Sequence, residues 1–462
     1  MAPGGATRVP VSGGRTDTAA TAWIGELHGR SVARFRIDGG KHRGAIGPAE
    51  GETVQQLVRQ AVDAGIPIVG VMSTSGADVH TGVASLHAWG LMARALASAS
   101  GVVPILLAVT GPAVSGPALM LGLADFVVMT DEAFAYVSGP DGVLAFTGIS
   151  LTSAKLGGAA VHEQRTGLSC LVARDEDDAL AALADILSYL PSNHLDDPPV
   201  LICDDPIERL CTKSVDIVPA LGTSSYDVRG VIQDVCDGES FLELQPLHAP
   251  NIITGFARLG GRPIGVVANQ PNQRAGTLDI EASRKAAAFV QFCDAFNVAL
   301  LTFVDTPGFE PGKSLEWRGM IRHGAELVHA YAAATVPRLC VVLRKAYGGA
   351  YIVMDSKKLG NDLCLAWPSA EIAVMGAPGA VQILFSRRLA GIDDEAERSR
   401  VRAELEADYA ERFCTPDVAA ERGYVDDVID PRDTRRVLTH ALACLGRKLE
   451  LPTRAKHTNA PL

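Results

Sequence analysis

The sequence has no pair of cysteines with the CxxC spacing, although it contains nine cysteines. Because these cysteines are scattered and odd in number, they indicate neither a zinc site nor a disulfide framework, and we expect reduced thiols in the core. The eleven histidines give no metal-binding pattern either. His323 and His329 are six residues apart and would lie on different faces of a helix. We therefore predict no metal site.

Long apolar runs and an excess of positive charge are also missing. No stretch approaches the ~18 consecutive apolar residues of a membrane-spanning helix, and the first residues lack the apolar centre of a signal peptide. The formal net charge of -11 argues against a general nucleic-acid-binding protein. We therefore predict a cytoplasmic protein without membrane or nucleic-acid partners, beginning with a flexible tail at residues 1–20.

The sequence does contain short β-branched runs that alternate with Ala-rich stretches at helical spacing, and this pattern predicts an α/β fold. The strand-like runs are 67–72, 103–109, 125–129, 262–268, 299–304, 337–343 and 371–375. A chain of 462 residues exceeds the usual size of one domain, so we expect two. A polar, proline-containing stretch at 190–210 interrupts the alternation, and we place the domain connection at roughly 190 to 225.

The two halves of the sequence resemble each other. Residues 103–120 align without a gap with residues 336–353, at an offset of 233 residues, which indicates a duplicated α/β unit. The alignment sets Ser115-Gly116-Pro117 opposite Gly348-Gly349-Ala350. Two interpretations of these small-residue turns are open. They allow a helix to pack closely on the sheet, or they expose main-chain N–H groups that hold a negatively charged oxygen.

The C-terminal half resembles a known family. It is similar to the carboxyltransferase (beta) subunits of biotin-dependent acyl-CoA carboxylases of the propionyl-CoA and acetyl-CoA type. The matching segments are 226–271, 289–312, 321–354 and 365–384. The N-terminal half follows the pattern more loosely. The resemblance implies two crotonase-like (ClpP/crotonase) domains of β-β-α superhelical units, at residues 21–210 and 226–455, and a ring of six subunits, either a homohexamer or a mixed hexamer.

The resemblance also implies a reaction. In this family a carrier protein delivers carboxybiotin, and the carboxyl group moves to the α carbon of a short-chain acyl-CoA such as acetyl- or propionyl-CoA. The acyl-CoA lies against the N-terminal domain of one subunit and the biotin against the C-terminal domain of its neighbour. The ureido nitrogen of biotin takes the α-proton, so no side chain is needed as the base. Because the enolate and the ureido oxygen both carry charge, two oxyanion holes are needed. The sequence lacks a biotinylation motif, so we expect a biotin carboxylase/biotin carboxyl carrier alpha subunit as partner.

Specific residues take these roles if the family pattern is carried onto this sequence. The catalytic backbone donors are Ser115 and Gly116 in one hole, and Gly349 and Ala350 in the other. The residues expected to bind substrate are Gly76, Ala77, Gly348, Tyr351 and Ile352. The residues expected to bind the biotin cofactor are Pro307, Gly308 and Tyr347. Which hole serves the thioester stays open, although crotonase-type thioester sites favour the N-terminal one.

The N-terminal half departs from the family at its turn. Pro117 has no N–H, so a hole formed by Gly116 and residue 117 would lack one donor. A hole formed by Ser115 and Gly116 would be complete, and proline suits the first turn of a helix. We predict the second arrangement. Asp78 and Thr81 stand where the family has arginine and glutamate. This exchange is either a lost structural ion pair, which we favour, or a lost phosphate-binding cation.

Two segments of the C-terminal half also allow a nucleotide-binding interpretation. "DTPG" (305–308) and "GFEPGKS" (308–314) resemble nucleotide-binding motifs, but the loop is one residue short of GxxxxGK[ST] and contains a proline. The basic residues that precede "GAIG" either meet CoA phosphates or form ordinary surface. Three functions stay open. We predict the acyl-CoA carboxyltransferase, and the alternatives are a biotin-linked decarboxylase or transcarboxylase of the same fold, or a degenerate ring component that pairs with an active paralogue.

Overall fold

A computed structural model describes residues 9–11, 18–219, 222–446, 448, 450 and 461 of the chain. The chain folds into two compact units. The first comprises Met1–Pro199, Leu244–His248 and Ala295–Asn297, and the second comprises Val200–Glu243, Ala249–Asp294 and Val298–Leu462. Most of the predicted tail at residues 1–20 lies outside the described residues. The assignment of predicted domains 21–210 and 226–455 to acyl-CoA and biotin stays a prediction.

The strands form two sheets. The strands of the first sheet are β1 (Val9–Pro10), β2 (Ala20–Leu27), β3 (Arg30–Ile37), β4 (Ile68–Thr74), β5 (Ile105–Val114), β6 (Phe126–Thr130), β7 (Phe134–Tyr136) and β8 (Leu171–Ala173). The strands of the second sheet are β9 (Leu242–Leu244), β10 (Ile252–Leu259), β11 (Arg262–Asn269), β12 (Ala299–Thr306), β13 (Arg338–Tyr347), β14 (Leu363–Ala366), β15 (Glu371–Ala373) and β16 (Asp427–Val428).

The helices lie between these strands. Those of the N-terminal half are α1 (Pro48–Ala64), α2 (Val83–Ala99), α3 (Pro140–Thr147), α4 (Ser153–Gly157), α5 (Ala159–Val161) and α6 (Glu176–Leu187). Those that follow are α7 (Thr212–Ile217), α8 (Arg229–Val235), α9 (Ile280–Ala295), α10 (Lys313–Trp317), α11 (Met320–Ala333), α12 (Gly348–Val353), α13 (Ala377–Leu384), α14 (Ser386–Ala390), α15 (Glu395–Phe413), α16 (Pro416–Glu421) and α17 (Thr434–Leu445). Short 3₁₀ helices include Val79–Thr81 and Gly116–Leu123, and His162–Thr166 form a π-helix.

The two sheets have matching topology. The order is β1-β2-β3-β4-β5-β6-β8 in the first and β9-β10-β11-β12-β13-β14-β16 in the second, with β7 beside β5 and β15 beside β13. The pairing registers match as well. Ala20 pairs with Ile37 in the first sheet, and Ile252 pairs with Asn269, 232 residues further along, in the second. The duplication predicted from the sequence is therefore confirmed.

Burial explains why the apolar runs form strands. Every residue of β10 and β12 is buried, as expected for strands in a sheet that is covered on both faces. The predicted strand-like runs all fall on strands β4, β5, β6, β11, β12, β13 and β15, which confirms the α/β prediction. Seven of the nine cysteines are buried, Cys203 is half-buried and Cys444 is exposed. Among the described residues, no helix is both long and apolar enough to cross a membrane.

In each sheet an aspartate carboxylate accepts a hydrogen bond from the first N–H of a central strand, β5 in the first sheet and β13 in the second. The Asp125 carboxylate accepts a hydrogen bond from the Ile105 N–H at 2.7 Å, at the start of β5. Its counterpart Asp362 accepts one from the Arg338 N–H at 2.8 Å, at the start of β13. Asp362 also pairs with the Lys448 Nζ at 3.0 Å. Burial raises the pKa of Asp125 to about 7, although its hydrogen bond from Ile105 favours the ionised form.

Candidate active site

Each sheet presents a small-residue turn at the end of its central strand. In the first sheet β5 ends at Val114, and Ser115 follows with φ 65° before the 3₁₀ helix. In the second sheet β13 ends at Tyr347, and Gly348 follows with φ 58° as the first residue of α12. Positive φ costs an ordinary residue about 1–2 kcal/mol but costs glycine little. Ser115 therefore holds a strained conformation that glycine adopts freely in the second copy.

The turn in the second unit begins a helix, so its first main-chain N–H groups have no partner within that helix. These groups belong to Gly348, Gly349 and Ala350, the first three residues of α12. The Ala350 side chain is fully buried, which anchors the turn. A Cβ atom at residue 349 would lie 3.5 Å from the Phe309 ring, so this phenyl group covers one side of the turn.

A cavity of about 530 Å³ opens beside this turn. Gly348, Gly349, Tyr351 and Ile352 contribute to its wall, so the structure brings these predicted residues together. The rest of the wall is mainly apolar and aromatic, from residues Ile372, Ala373, Val374, Tyr409, Phe413, Val418, Ala419 and Tyr424. Lys358 and Arg422 add positive charge, whereas the Lys357 ammonium pairs with the Asp426 carboxylate at 2.7 Å. Such a cavity suits a compact ligand with an apolar body and a negative group.

A buried ion pair fixes the strand ends beneath the cavity-lining turn. The Arg344 Nε donates to the Asp305 carboxylate at 3.1 Å, and both side chains are less than 5% exposed. Asp305 also accepts hydrogen bonds from the Tyr226 hydroxyl at 2.9 Å and from the Lys345 N–H at 3.1 Å. Burial raises the pKa of Asp305, while the Arg344 charge works in the opposite direction. The network ties the end of β12 to the end of β13.

The predicted biotin residues lie near the same turn. Gly308 follows β12, and its carbonyl accepts a hydrogen bond from the Leu278 N–H at 3.1 Å. Pro307 and Gly308 lead directly to Phe309, which is the residue that contacts Gly349. The Tyr347 hydroxyl donates to Glu371, so it supports the turn from β15. Burial raises the pKa of Tyr347 well above its usual value. Whether these residues bind biotin stays a prediction.

The turn in the first unit differs in its donors. The Ser115 N–H donates to the Tyr136 carbonyl of β7 at 3.0 Å. The expectation that this N–H forms half of an oxyanion hole therefore disagrees with the structure, because the group is already engaged in the sheet. Pro117 has no N–H. Of the three residues at this turn, only Gly116 presents a main-chain N–H for an external oxygen.

Two neighbouring elements approach this turn. A Cβ atom at Gly76 would lie 3.1 Å from the Ser115 Cβ, so the predicted residues Gly76 and Ser115 are adjacent. Ala77 follows and forms an isolated bridge with Ile46. From α2, the Trp89 indole packs on Gly116, where an added Cβ atom would lie 2.9 Å from two ring carbons.

The departures at Asp78 and Thr81 have local roles. The Asp78 carboxylate accepts a hydrogen bond from the His80 N–H at 3.0 Å, which caps the short 3₁₀ helix. The Thr81 and Ser85 hydroxyl groups form a hydrogen bond with each other, and the Ser85 hydroxyl donates to the Asp78 carbonyl. Asp78 is therefore engaged in its own loop. Among the basic residues near "GAIG", Arg36 pairs with Glu176.

Three residues that support these turns were not predicted from the sequence. Arg344 and Tyr226 hold Asp305, and Trp89 covers Gly116. The signal for Arg344 was its place just before the glycine turn, in "RKAYGGA". Trp89 gave no local signal, because it lies within an ordinary helical pattern.

Comparison with known proteins agrees with this architecture. The family model described as "Carboxyl transferase domain" matches residues 15–460. The propionyl-CoA carboxylase beta chain of Saccharopolyspora erythraea is 44% identical over 456 residues, which cover 96% of this chain and 83% of that protein. The methylmalonyl-CoA decarboxylase subunit alpha of Veillonella parvula is 40% identical over 439 residues, which cover 95% of this chain and 84% of that protein.

A solved structure is similar over the whole chain. The crystal structure of transcarboxylase 12S, described as a hexamer assembly with methylmalonyl-coenzyme A and methylmalonic acid bound, has a TM-score of 0.95 at 39% identity. The match covers 100% of this chain and 90% of that one. These matches show that the chain belongs to the carboxyl transferase domain family.

Proposed function

We propose that this protein moves a carboxyl group from carboxybiotin, carried by a partner protein, to the α carbon of a short-chain acyl-CoA. The observation that supports this most directly is the repeated turn. Two copies of one sheet place a glycine-containing strand-to-helix turn at the same register, so each copy can hold one oxygen that becomes negative during the transfer. Acetyl- and propionyl-CoA are the proposed acyl substrates.

The cavity beside Gly348 and Gly349 is the proposed biotin pocket. Its volume of about 530 Å³ and apolar wall are compatible with a small bicyclic group, and Lys358 and Arg422 are compatible with a carboxylate. When bound there, carboxybiotin supplies the carboxyl group and, after releasing it, a nitrogen that takes the α-proton. The Gly349 and Ala350 N–H groups would hold the oxygen of this group in place, and the apolar wall would exclude water.

The acyl-CoA thioester is assigned to the turn of the first unit. The Gly116 N–H would donate to the thioester oxygen, and Gly76 and Ala77 would flank the acyl group. By analogy with the hexameric transcarboxylase 12S, we also propose a six-subunit ring, together with a partner that carries biotin. Light scattering of the purified chain tests the ring.

The deciding experiment measures transfer of labelled bicarbonate. The chain is assembled with a biotin carboxylase and a biotinylated carrier protein, and acetyl-, propionyl-, butyryl- and long-chain acyl-CoA are offered. We expect label in the acetyl- or propionyl-CoA product. Absence of label from every acyl-CoA, with a carrier that is demonstrably carboxylated, would contradict the proposal.

Ala350→Pro tests the second hole. This change deletes one N–H that has no helical partner, and the loss of one oxyanion donor lowers turnover by about 100-fold to 1000-fold. Ala350→Gly is the matched control, because it retains the N–H and is expected to stay within about 10-fold of the native rate. Both variants are compared only as assembled rings. Near-native transfer by assembled Ala350→Pro protein would refute the assignment.

A second function has a specific observation in its favour. The decarboxylase subunit from Veillonella parvula is nearly as similar to this chain as the carboxylase beta chain, at 40% against 44% identity. A decarboxylase or transcarboxylase would use the same turns in the opposite direction. Product analysis separates the reactions: transfer of the carboxyl group from methylmalonyl-CoA to biotin, without bicarbonate fixation, would favour this second function.

A further inference from the structure

The turn of the first unit is short of one main-chain donor. Pro117 has no N–H, and the Ser115 N–H donates to the Tyr136 carbonyl. The corresponding turn of the second unit offers the N–H groups of both Gly349 and Ala350. If both turns hold an oxyanion, the first needs a donor from elsewhere.

Trp89 is placed to supply that donor. Its Nε1 lies 3.2 Å from the Cβ position of residue 116, and two of its ring carbons lie 2.9 Å from the same position. The indole therefore lies directly against Gly116, and a side chain at residue 116 would displace it. The indole Nε1–H is a hydrogen-bond donor only, and buried or half-buried tryptophans usually give it a partner. Within the described part of the chain, Trp89 is half-buried and no hydrogen bond from its Nε1–H is found.

The second unit shows the contrasting arrangement. There the aromatic group beside the turn is Phe309, whose ring lies 3.5 Å from the Cβ position of residue 349. Phenylalanine has no N–H, and this turn needs none because Ala350 keeps its main-chain donor. Each turn thus has two available N–H groups when the aromatic neighbour is included. The aromatic residue carries an N–H only where the backbone lacks one.

We propose that the Trp89 Nε1–H is the second donor to the thioester oxygen in the first unit and replaces the N–H that Pro117 lacks. This inference rests on the proposed function and identifies a catalytic residue for it. It also predicts that the first unit is active, which argues against the degenerate ring component.

The test is a double-mutant cycle between Trp89→Phe and Pro117→Ala in the assembled holoenzyme. Trp89→Phe keeps an aromatic ring and removes the N–H, so turnover with propionyl-CoA should fall by about 100-fold or more, with less than about a threefold change in KM. Pro117→Ala restores a main-chain N–H. It should change the native rate by less than about threefold, but it should raise the Trp89→Phe rate by about 10-fold or more.

Two results would overturn the inference. One is a Trp89→Phe rate within about threefold of native, and the other is a reduced Trp89→Phe rate that Pro117→Ala fails to raise, because a tryptophan that only packs cannot be replaced by a backbone N–H. The native rate itself tests the proposed function separately. A native chain that transfers nothing, but gains activity from Pro117→Ala alone, would also overturn the inference and would favour the degenerate component.

A binding measurement completes the test without turnover. Propionyl-CoA added to the native ring should change the tryptophan fluorescence, and Trp89→Phe should remove most of that change while calorimetry still detects binding. Full retention of the fluorescence change in Trp89→Phe would count against contact between the indole and the thioester.

Discussion

The environment of Asp125, at the start of β5, predicts how the stability of the fold depends on pH. Asp125 is half-buried, and its carboxyl accepts one hydrogen bond from the Ile105 N–H. Burial raises its pKa from the ordinary 3.8 to about 7. A carboxyl with a raised pKa in the folded state stabilises the fold fully below pH 3.8. This contribution is lost progressively as the pH rises from 3.8 through 7. Above pH 7 the folded protein carries the full cost of the buried charge.

The size of this effect follows from the shift in pKa. Each unit is worth about 1.4 kcal/mol, so the full shift corresponds to about 4 kcal/mol, and partial contact with solvent reduces the expected value to about 2–4 kcal/mol. Asp125→Asn keeps an oxygen that accepts from Ile105 but carries no charge. The variant should therefore be more stable than the native protein at pH 8, with a gain of about 4–16 °C in midpoint temperature. Because the unfolded carboxyl ionises above pH 3.8, this gain should shrink to less than half at pH 5.

Thermal unfolding of both proteins at pH 5, 6, 7 and 8 measures this difference. The matched control is Asp362→Asn, at the corresponding position of the second sheet. Because Asp362 pairs with the Lys448 Nζ, removing its charge should lower the midpoint temperature. A gap between Asp125→Asn and the native protein that stays constant from pH 5 to pH 8 would refute the reasoning.

Further predictions concern the second unit. Asp305→Ala removes the carboxylate that pairs with the buried Arg344 charge and should cost about 3–5 kcal/mol of stability. The double variant Asp305→Ala with Arg344→Met should recover part of that loss. Chemical denaturation of the purified protein measures both variants, and additive losses would contradict the pairing. Gly348→Ala should lower stability by about 1–2 kcal/mol in the same assay, because residue 348 has φ 58°, and no loss would show that the turn relaxes. Ile352 is 46% exposed in the cavity wall. Its aliphatic side chain should give similar carboxylation rates for acetyl- and propionyl-CoA. Equal or higher carboxylation rates with long-chain acyl-CoA would contradict this prediction.

Much of the fold could be predicted from the sequence, because its strands are short apolar runs with strong local preferences. The apolar run 299–304 predicts strand β12, whose residues are all buried. The offset of 233 residues between the two halves places Ser115 opposite Gly348. These signals are local or repeated, so one sequence contains them. The strand-to-helix turns could be located for the same reason.

The donors at the turns could not be predicted in this way. The engagement of the Ser115 N–H depends on β7 pairing beside β5, which brings in the Tyr136 carbonyl from a separate segment. The position of Trp89 depends on how α2 packs against the turn. Both are tertiary interactions without a local pattern, and they change which groups at the predicted site are available to a ligand.

The distribution of cysteines has a practical consequence. Cys444, on α17, is exposed, whereas Cys203 is half-buried and the other seven thiols are buried. A maleimide dye under brief, mild conditions should therefore attach mainly at one place on each subunit, without any engineered cysteine. Mixing donor-labelled and acceptor-labelled preparations would then report subunit exchange by energy transfer. The rate at which the proposed ring forms and comes apart would become measurable on the natural sequence.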